Sequence, residues 1–265
     1  MLEEAKLHAD FEDRRMRRIL GIRFFTGNPK QAVDRMLQGG LLVVPAAPAL
    51  CALSTDAEYR EALLSADFVI TDSAYMVLVW RLLTRERLRR LSGLEYLREL
   101  LKRPEMKEPG STMWIMAGSV SSKTNRDWLQ KNLIEVPESH VYLAPMYGSS
   151  EVSDEALIER LHRLRPQHIV LTLGGGTQER VGLYLRKHLD YLPGIHCIGA
   201  AIAFLSGDQV HIPGWADRMY LGWLLRILDE PRRYGPRYAS AFKLAWMMAR
   251  WRSELPPMEE KIPPR

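Results

Sequence analysis

Few of the groups that stabilise small secreted or metal-binding proteins are present in this sequence. Only two of its 265 residues are cysteines, Cys51 and Cys197, and they lie far apart in apolar surroundings. Such cysteines are expected to be small core residues in a reducing compartment, because a disulfide or a thiolate metal site needs paired cysteines. The seven histidines show no metal-ligand spacing, and no Asp-x-Asp sequence is present. The sequence therefore predicts that no metal is bound.

Long apolar runs are also missing. No stretch reaches the roughly 18 uninterrupted apolar residues of a membrane-spanning helix. The first residues alternate acids and bases and lack the apolar segment of a signal peptide. We therefore expect a protein that is soluble or lies on a surface. Its length suits one large domain, or one domain with an appendage.

What is present is a regular alternation of short apolar segments and helical patterns. The expected strands are 41–45, 67–72, 112–117, 140–144, 168–173 and 195–200. This alternation predicts an α/β fold, a Rossmann-like parallel sheet with helices on both faces. In such sheets, ligands bind at the carboxyl ends of the strands.

The clearest segment joins a strand, a glycine turn and a helix. Residues 168–173 are mostly apolar and favour a buried strand, Gly174–Gly176 follow, and 177–188 has the pattern of an amphipathic helix. Free backbone N–H groups and the helix dipole point the same way at such a turn, which predicts an anion or phosphate site. Gln178 and Glu179 lie in the first helical turn.

Two further polar loops are expected at the same edge of the sheet. Asp72 ends the strand 67–72, and Tyr147 lies in the loop 144–148. Because both loops follow parallel strands, they can converge with the glycine turn. A strand-end aspartate is typical of a general base and also of an N-cap for the next helix, and the residues alone leave both interpretations open.

The composition changes after Pro213. Residues 215–252 carry eight Arg or Lys against three acids, and four of the seven tryptophans. Tryptophan beside arginine on amphipathic helices is typical of a membrane-surface element. The other interpretation is a helical pair packed on the core with a solvated basic face. The last dozen residues, rich in Pro and Glu, are expected to be disordered.

The order of several segments resembles that of the WecG/TagA/CpsF family of bacterial glycosyltransferases. The resemblance covers roughly residues 20–240. Its segments, in order, are Ala-Asp-Phe-Val-Ile-Thr-Asp (66–72), Leu-Arg-Arg-Leu-Ser-Gly (88–93), Leu-Gly-Gly-Gly-Thr-Gln-Glu (173–179), 198–207, Ile-Pro-Gly-Trp (212–215) and 221–233. It implies transfer of a sugar from a UDP donor, with inversion, to a sugar linked to a polyprenyl diphosphate. Such enzymes make cell-surface polymers of the exopolysaccharide, capsule and teichoic acid type.

Carried onto this sequence, the resemblance assigns roles to the residues singled out above. Asp72 is the implied general base, since inverting transfer needs a carboxylate that takes the proton of the acceptor hydroxyl. Gln178 and Glu179 match the Gln-Glu of a family motif, Pro-Lys-Gln-Glu, that lies beside the donor. The implied donor-binding residues are Gly174, Gly175, Gln178, Glu179 and Tyr147.

Arginines are implied for the phosphates, and no cofactor is implied. Arg90 matches a family arginine that faces phosphate, and a guanidinium can stabilise a diphosphate leaving group in place of a metal. On the residues alone, Arg90 is also explained as one solvated member of a basic run. The remaining implied acceptor-binding residues belong to an appendage that holds these enzymes to the membrane: Arg226, Arg232, Arg233 and Arg237.

The resulting organisation has four parts: an N-terminal arm (1–20), the glycosyltransferase core (21–212), a membrane- and acceptor-binding helical appendage (213–252) and a disordered tail (253–265). The implied location is cytoplasmic, peripheral on the inner face of the plasma membrane. The implied partners are the UDP-sugar, the lipid-linked acceptor and the membrane. Nucleic acid is not expected, because the basic residues are grouped with tryptophans and leucines. Association into a homo-oligomer is left open.

The chain departs from the family pattern where polar residues contact the donor. Family residues Thr-x-Asn, Asp-Gly-x-Gly, Pro-Lys and a later Asp are replaced by Pro45-Ala46-Ala47, Asp72-Ser73-Ala74-Tyr75, Gly176-Thr177 and Ala203. These changes keep the implied base but remove polar contacts and a positive charge. We therefore expect a divergent donor sugar in a less basic pocket.

Two other functional classes fit parts of the sequence. A dinucleotide- or methyl-donor-binding enzyme could use the same sheet, but the glycine run lacks the G-x-G-x-x-G order and does not follow the first strand. A non-catalytic scaffold or regulatory subunit of a polysaccharide assembly complex would account for the missing Thr and Asn. Turnover of UDP-sugars with and without Asp72→Asn separates an enzyme from a scaffold.

Overall fold

A single sheet of eight strands organises the part of the chain that the computed structural model describes, residues 15–148, 151–207 and 242–259. The strands are β1 (Met16–Ile19), β2 (Ile22–Phe25), β3 (Gly40–Val43), β4 (Phe68–Ile70), β5 (Thr112–Met116), β6 (Val141–Leu143), β7 (His168–Thr172) and β8 (Gly194–Cys197). Their order across the sheet is β1-β2-β4-β3-β8-β7-β5-β6. All neighbours run parallel except β1 and β2, which are antiparallel.

Helices cover both faces of this sheet, as the sequence predicts. They are α1 (Pro29–Met36), α2 (Ala47–Leu50), α3 (Ala57–Ser65), α4 (Ala74–Thr84), α5 (Gly93–Leu100), α6 (Ser119–Lys131), α7 (Glu155–Leu164), α8 (Thr177–His188), α9 (Ala203–Ser206) and α10, which covers 242–251 of the described residues. One core lies between the sheet and α3, α4, α7, α8 and α10, and a second lies under α1, α5 and α6. The α/β fold class is therefore confirmed.

Short-range signals account for where several of these helices begin. At α1, the Asn28 side chain accepts a hydrogen bond from the Gln31 amide, and the Gln31 side chain accepts one from the Asn28 amide. This reciprocal capping box satisfies two amides that a helix start leaves without partners, and Pro29 suits the first helical position. Helix α8 begins and ends at the residues that the sequence pattern predicts, Thr177 and His188.

The two halves of the fold meet at the centre of the sheet. The chain lays β2, β4 and β3 on one side and then crosses to build β5, β6, β7 and β8 on the other, so β3 and β8 become neighbours. Such a reversal leaves a crevice outside the carboxyl ends of the central strands. The loops that follow β3, β4, β7 and β8 border this crevice.

Strands β1 and β2 and helix α5 were not predicted from the sequence. The two strands form an edge hairpin whose turn residues, Leu20 and Gly21, both have positive φ, 50° and 77°. Residues 16–19 thus pair within the sheet, although 1–20 was expected to be a separate arm. The tail region also differs from expectation, because the amides of Leu20 and Gly21 donate to the carbonyls of Arg252 and Ser253 and the Glu259 amide donates to Ser54. Residues 253–259 are ordered against the core rather than disordered.

Of the predicted appendage, 213–252, residues 242–252 belong to the described part of the chain. Arg226, Arg232, Arg233 and Arg237 lie outside the described residues. None of the helices in the described ranges has the length and apolar character needed to cross a membrane.

Candidate functional site

The loop after β4 holds Asp72 at the carboxyl edge of the sheet. Its Oδ1 accepts a hydrogen bond from the Gly93 amide at 2.9 Å, at the start of α5. The side chain remains 32% exposed, so it is open to a substrate. The N-cap of α4 is Ser73, whose hydroxyl accepts from the Met76 amide. The cap role that the sequence left open for Asp72 therefore belongs to its neighbour.

Arg90 lies directly beside Asp72 and is packed, not solvated. Its Nε donates to the Asp72 carbonyl at 2.7 Å, and its Nη2 is 4.0 Å from the Asp72 Oδ1. Only 17% of the Arg90 side chain is exposed, whereas the neighbouring Arg89 is exposed. The hydroxyl of Thr71 holds this loop by donating to the Arg89 carbonyl and accepting from the Leu91 amide. The structure thus separates Arg90 from the rest of the basic run.

Gly93 brings the start of α5 against the two central strands. A methyl group at this position would lie 3.2 Å from Val44 Cγ1 and 3.5 Å from the Ile198 carbonyl oxygen. A larger residue would push α5 away from the ends of β3 and β8, and the amide that holds Asp72 would move with it. Neither the Leu-Ser-Gly segment nor Ser73 was predicted to have a local structural role in the site, although small residues and caps at strand ends are a signal for one.

The glycine turn lies opposite the loop that follows β3. Apart from their chain neighbours, none of the described residues has an atom within 4 Å of a methyl group added at Gly174 or Gly176, and Gly175 faces Ala46 and Ala49 at 3.8–3.9 Å. Gly176 has a φ of +91°, a conformation that favours glycine. The turn is therefore open on the side where a donor was predicted, and its nearest facing wall is made of alanine methyl groups.

The side chains of Gln178 and Glu179 point inward from this turn. They are 2% and 0% exposed. Glu179 accepts hydrogen bonds from the Gly176 amide (2.7 Å) and from Gln178 Nε2 (3.2 Å). Burial raises the pKa of Glu179 to about 7, and these hydrogen bonds, together with the nearby Arg180 guanidinium, act in the opposite direction. Both residues belong to the predicted site, but their side chains hold the protein together rather than face solvent.

One line of contacts joins the two halves of the site. The Gly199 amide donates to Gln178 Oε1 at 2.6 Å, and the preceding carbonyl, that of Ile198, lies beside Gly93. From Asp72 the line runs through Gly93 and the end of β8 to Gln178. The structure therefore brings Asp72, Arg90, the glycine turn, Gln178 and Glu179 together at the carboxyl edge. Gly199 was not identified from the sequence.

Tyr147 is held differently from the other predicted donor residues. Its hydroxyl donates to Asp154 Oδ2 at 2.6 Å, and the Tyr142 hydroxyl donates to the same carboxylate. Burial and the Asp154 carboxylate raise the pKa of the Tyr147 hydroxyl far above its usual value. Its loop contacts α8 through Arg180, which donates to the Gly148 carbonyl. The hydroxyl of Tyr147 is thus engaged away from the line of contacts that begins at Asp72, and its donor role stays a prediction.

Arg180 was missed although it packs beside the site. It is 6% exposed, and its guanidinium lies 3.7 Å from the Glu58 carboxylate and 4.0 Å from that of Asp56. It links α8 to the start of α3. For metals, no group of three or more His, Cys, Asp or Glu side chains within the described residues could hold an ion.

Comparison with known proteins places the chain among sugar-transferring enzymes. The model of the "Glycosyl transferase WecG/TagA/CpsF family" matches residues 17–256. The chain is 24% identical, over 223 residues, to an N-acetylglucosaminyldiphosphoundecaprenol N-acetyl-beta-D-mannosaminyltransferase of Bacillus subtilis, covering 79% of this chain and 81% of the relative. A Bacillus spizizenii enzyme of the same name is 23% identical over 191 residues, 69% of this chain and 70% of the relative. Because the family match spans most of its length, this chain belongs to the WecG/TagA/CpsF family and is a glycosyltransferase.

Proposed function

We propose that this glycosyltransferase moves a sugar from a UDP-sugar, with inversion, to a sugar linked to a polyprenyl diphosphate, in the synthesis of a cell-surface polysaccharide. The pair formed by Asp72 and Arg90 carries the proposal: a partly exposed carboxylate and a packed guanidinium meet at the carboxyl edge of the sheet. The names of the two Bacillus relatives, which describe transfer to an undecaprenyl-diphosphate-linked N-acetylglucosamine, support the same acceptor class.

Asp72 is assigned the role of general base. The Gly93 amide holds its Oδ1, while Oδ2 accepts no hydrogen bond from the described residues. As the acceptor oxygen attacks C1 of the donor sugar, its proton passes to Oδ2. The bond between C1 and the UDP oxygen breaks, and its electron pair leaves with the diphosphate. Attack from the face opposite UDP inverts the anomeric centre.

Arg90 is assigned to the leaving diphosphate. Its Nε bond to the Asp72 carbonyl fixes the guanidinium plane next to the base. A fixed cation stabilises the charge that develops on the leaving group, without reorganisation at the moment of reaction. On this basis we propose a transfer that needs no metal ion.

The loop opposite the glycine turn affects how the donor sugar is recognised. Ala46 and Ala49 face Gly175 with methyl groups, and in the same loop Pro45 and Ala47 replace the Thr and Asn of the family pattern. A sugar bound here receives no side-chain hydrogen bonds from Ala46 or Ala49. We propose a donor sugar whose recognition depends on backbone amides of the turn more than on this loop.

The exposed face of α10 supports association with a membrane. Phe242 and Trp246, one helical turn apart, are 78% and 61% exposed, while Leu244, Met247 and Met248 on the opposite face are buried in the core. Apolar rings beside basic side chains on a surface helix suit the interface of an anionic bilayer. We propose that this face brings the protein to the cytoplasmic side of the plasma membrane, where a lipid-linked acceptor is available.

The proposal is tested by assaying a panel of UDP-sugars against a polyprenyl-diphosphate-linked monosaccharide. With the donor that reacts, Asp72→Asn is expected to lower kcat by about 100-fold or more, because general bases contribute about 10²–10⁴. Asp127→Asn, an exposed acid on α6, is the matched control and should retain full activity. Unchanged turnover by Asp72→Asn, or no transfer from any UDP-sugar by the unaltered chain, would contradict the proposal.

A further inference from the structure

Glu179 is an acceptor for two donors at once. One carboxylate oxygen takes the Gly176 amide, and the other takes Gln178 Nε2. Because the Gln178 NH₂ group donates to Glu179, its amide oxygen points the other way and accepts from the Gly199 amide. The three hydrogen bonds thus converge on Glu179: the Gly199 amide donates to Gln178, the Gln178 side chain donates to Glu179, and the Gly176 amide donates to Glu179 from the other side.

Capping alone does not require a carboxylate at this position. Elsewhere in the chain, the box at α1 uses Gln31, whose single amide oxygen accepts from the Asn28 backbone. Glutamine performs the same role as glutamate in such boxes and carries no charge to desolvate. Burying the Glu179 carboxylate at 0% exposure costs desolvation free energy that a glutamine would avoid. A use for both of its oxygens as acceptors explains why a carboxylate is present.

A glutamine at 179 would break the pattern. Its NH₂ group would face either the Gly176 amide or the Gln178 amide, and two donors would then oppose each other. Rotating the Gln178 amide would relieve the second clash, but would turn its NH₂ towards the Gly199 amide. Only a group with two acceptors at 179 satisfies all three bonds together.

We propose that Glu179 is a positioning residue that sets the amide orientation of Gln178 and so holds the glycine turn and the end of β8 in register across the donor site. This inference rests on the proposed function, since it assigns the donor to this edge. Glu179 itself touches no substrate. Its effect passes through Gly176, in the turn after β7, and through Gly199, just after β8.

The test compares Glu179→Gln with the exchanged pair Gln178→Glu/Glu179→Gln in the full chain. The exchanged pair restores every bond: the carboxylate now at position 178 would accept from Gly199 and from the side-chain amide at 179, whose oxygen would accept from Gly176. We expect hydrogen exchange at the Gly176 and Gly199 amides to be about tenfold faster in Glu179→Gln, from the loss of about one buried hydrogen bond, and to return to the original rate in the exchanged pair. Glu95→Gln, the same change at an exposed glutamate in the capping box of α5, should leave both amides unaffected.

Unchanged exchange in Glu179→Gln would overturn the proposal, and so would a failure of the exchanged pair to restore the rate. The exchange is measured without substrate and is independent of whether UDP-sugars are turned over. The donor KM should follow the same pattern, rising about tenfold in Glu179→Gln and recovering in the exchanged pair. If the unaltered chain transfers no sugar, the proposed function is contradicted, while the hydrogen-exchange result is unaffected.

Discussion

At the scale of single residues, the candidate site combines a held carboxylate, the proposed base, with a held cation. The Gly93 amide orients the Asp72 carboxylate, and the Asp72 carbonyl in turn orients Arg90. Each of these groups therefore depends on the backbone of the other's loop. Such mutual support keeps reacting groups in place before a substrate arrives, which is the condition for electrostatic catalysis.

Arg90 provides a prediction at this scale. Arg90→Ala should lower kcat by about 10- to 100-fold, because it removes both the cation near the leaving group and the bond to the Asp72 carbonyl. Arg90→Lys should recover only part of the loss, since a lysine ammonium lacks the planar fork that bonds two groups at once. Initial rates are measured in EDTA. Arg89→Ala is the control, because only the backbone carbonyl of Arg89 holds the loop; equal rates for Arg89→Ala and Arg90→Ala would argue against the assignment.

At the scale of elements, α10 has one buried face and one exposed face. Leu244, Met247 and Met248 belong to the same core cluster as the buried residues of β1 and β2, and the residues that follow the helix hold the hairpin turn. Removing the whole C-terminal region would therefore disrupt part of the core and would also remove any membrane contact that the region makes. A test of membrane association must change the outer face alone.

The matching prediction concerns Phe242 and Trp246. Replacing both with serine should reduce binding to liposomes that contain anionic lipid by about tenfold or more, because two large apolar rings would no longer enter the interface. The thermal midpoint should stay nearly unchanged, since both side chains are exposed. Leu133→Ser/Leu192→Ser, two exposed leucines elsewhere, is the control. Equal cosedimentation of the two variants would refute the role of α10.

At the scale of the whole molecule, three buried titratable side chains contribute to how stability depends on pH. Burial lowers the pKa of both His168 and His196 from the usual 6.5. They form a chain in which Tyr96 OH and His196 Nδ1 are 2.7 Å apart and His196 Nε2 and His168 Nδ1 are 3.3 Å apart. Because the unfolded state binds more protons than the folded state below pH 6.5, this contribution to stability is lost as the pH falls below that value. Glu179, with its pKa raised to about 7, has the opposite effect. Its contribution to stability is present at low pH and is lost as the pH rises from 4.5 through 7.

We predict that a histidine variant loses less stability than the unaltered chain when the pH is lowered. His168→Gln should be less stable than the unaltered chain at pH 7.5, since a buried hydrogen bond is weakened. Between pH 7.5 and 5.5, however, its free energy of unfolding should fall less, because one proton-binding site of the unfolded state is gone. Urea unfolding at both values measures the difference. His162→Gln, a partly exposed histidine on α7, is the control, and identical acid losses in all three proteins would show that His168 does not contribute.

Much of the architecture could be predicted from local pattern. Five of the six expected strands, β3, β4, β5, β7 and β8, lie inside the sheet and are almost wholly buried, so their apolar runs are visible in the sequence without knowledge of their partners. The sixth, β6, lies at the edge of the sheet and is partly exposed. The start and end of α8 follow from a glycine turn and a basic last turn. The hairpin of β1 and β2 was missed because Arg17, Arg18 and Arg23 interrupt its apolar pattern, and its stability depends on pairing with distant β4.

The sequence by itself determined the fold class, the position of Asp72 at a strand end and the order of segments that marks the family. Only the tertiary structure decided which polar groups meet. Gln178 and Glu179 turn inward, the Tyr147 hydroxyl donates to Asp154, and Arg90 packs on Asp72. These contacts depend on residues up to 21 positions away in the chain. Local propensity depends on neighbours in sequence, whereas a hydrogen bond of a buried side chain depends on which strand the sheet places next to it.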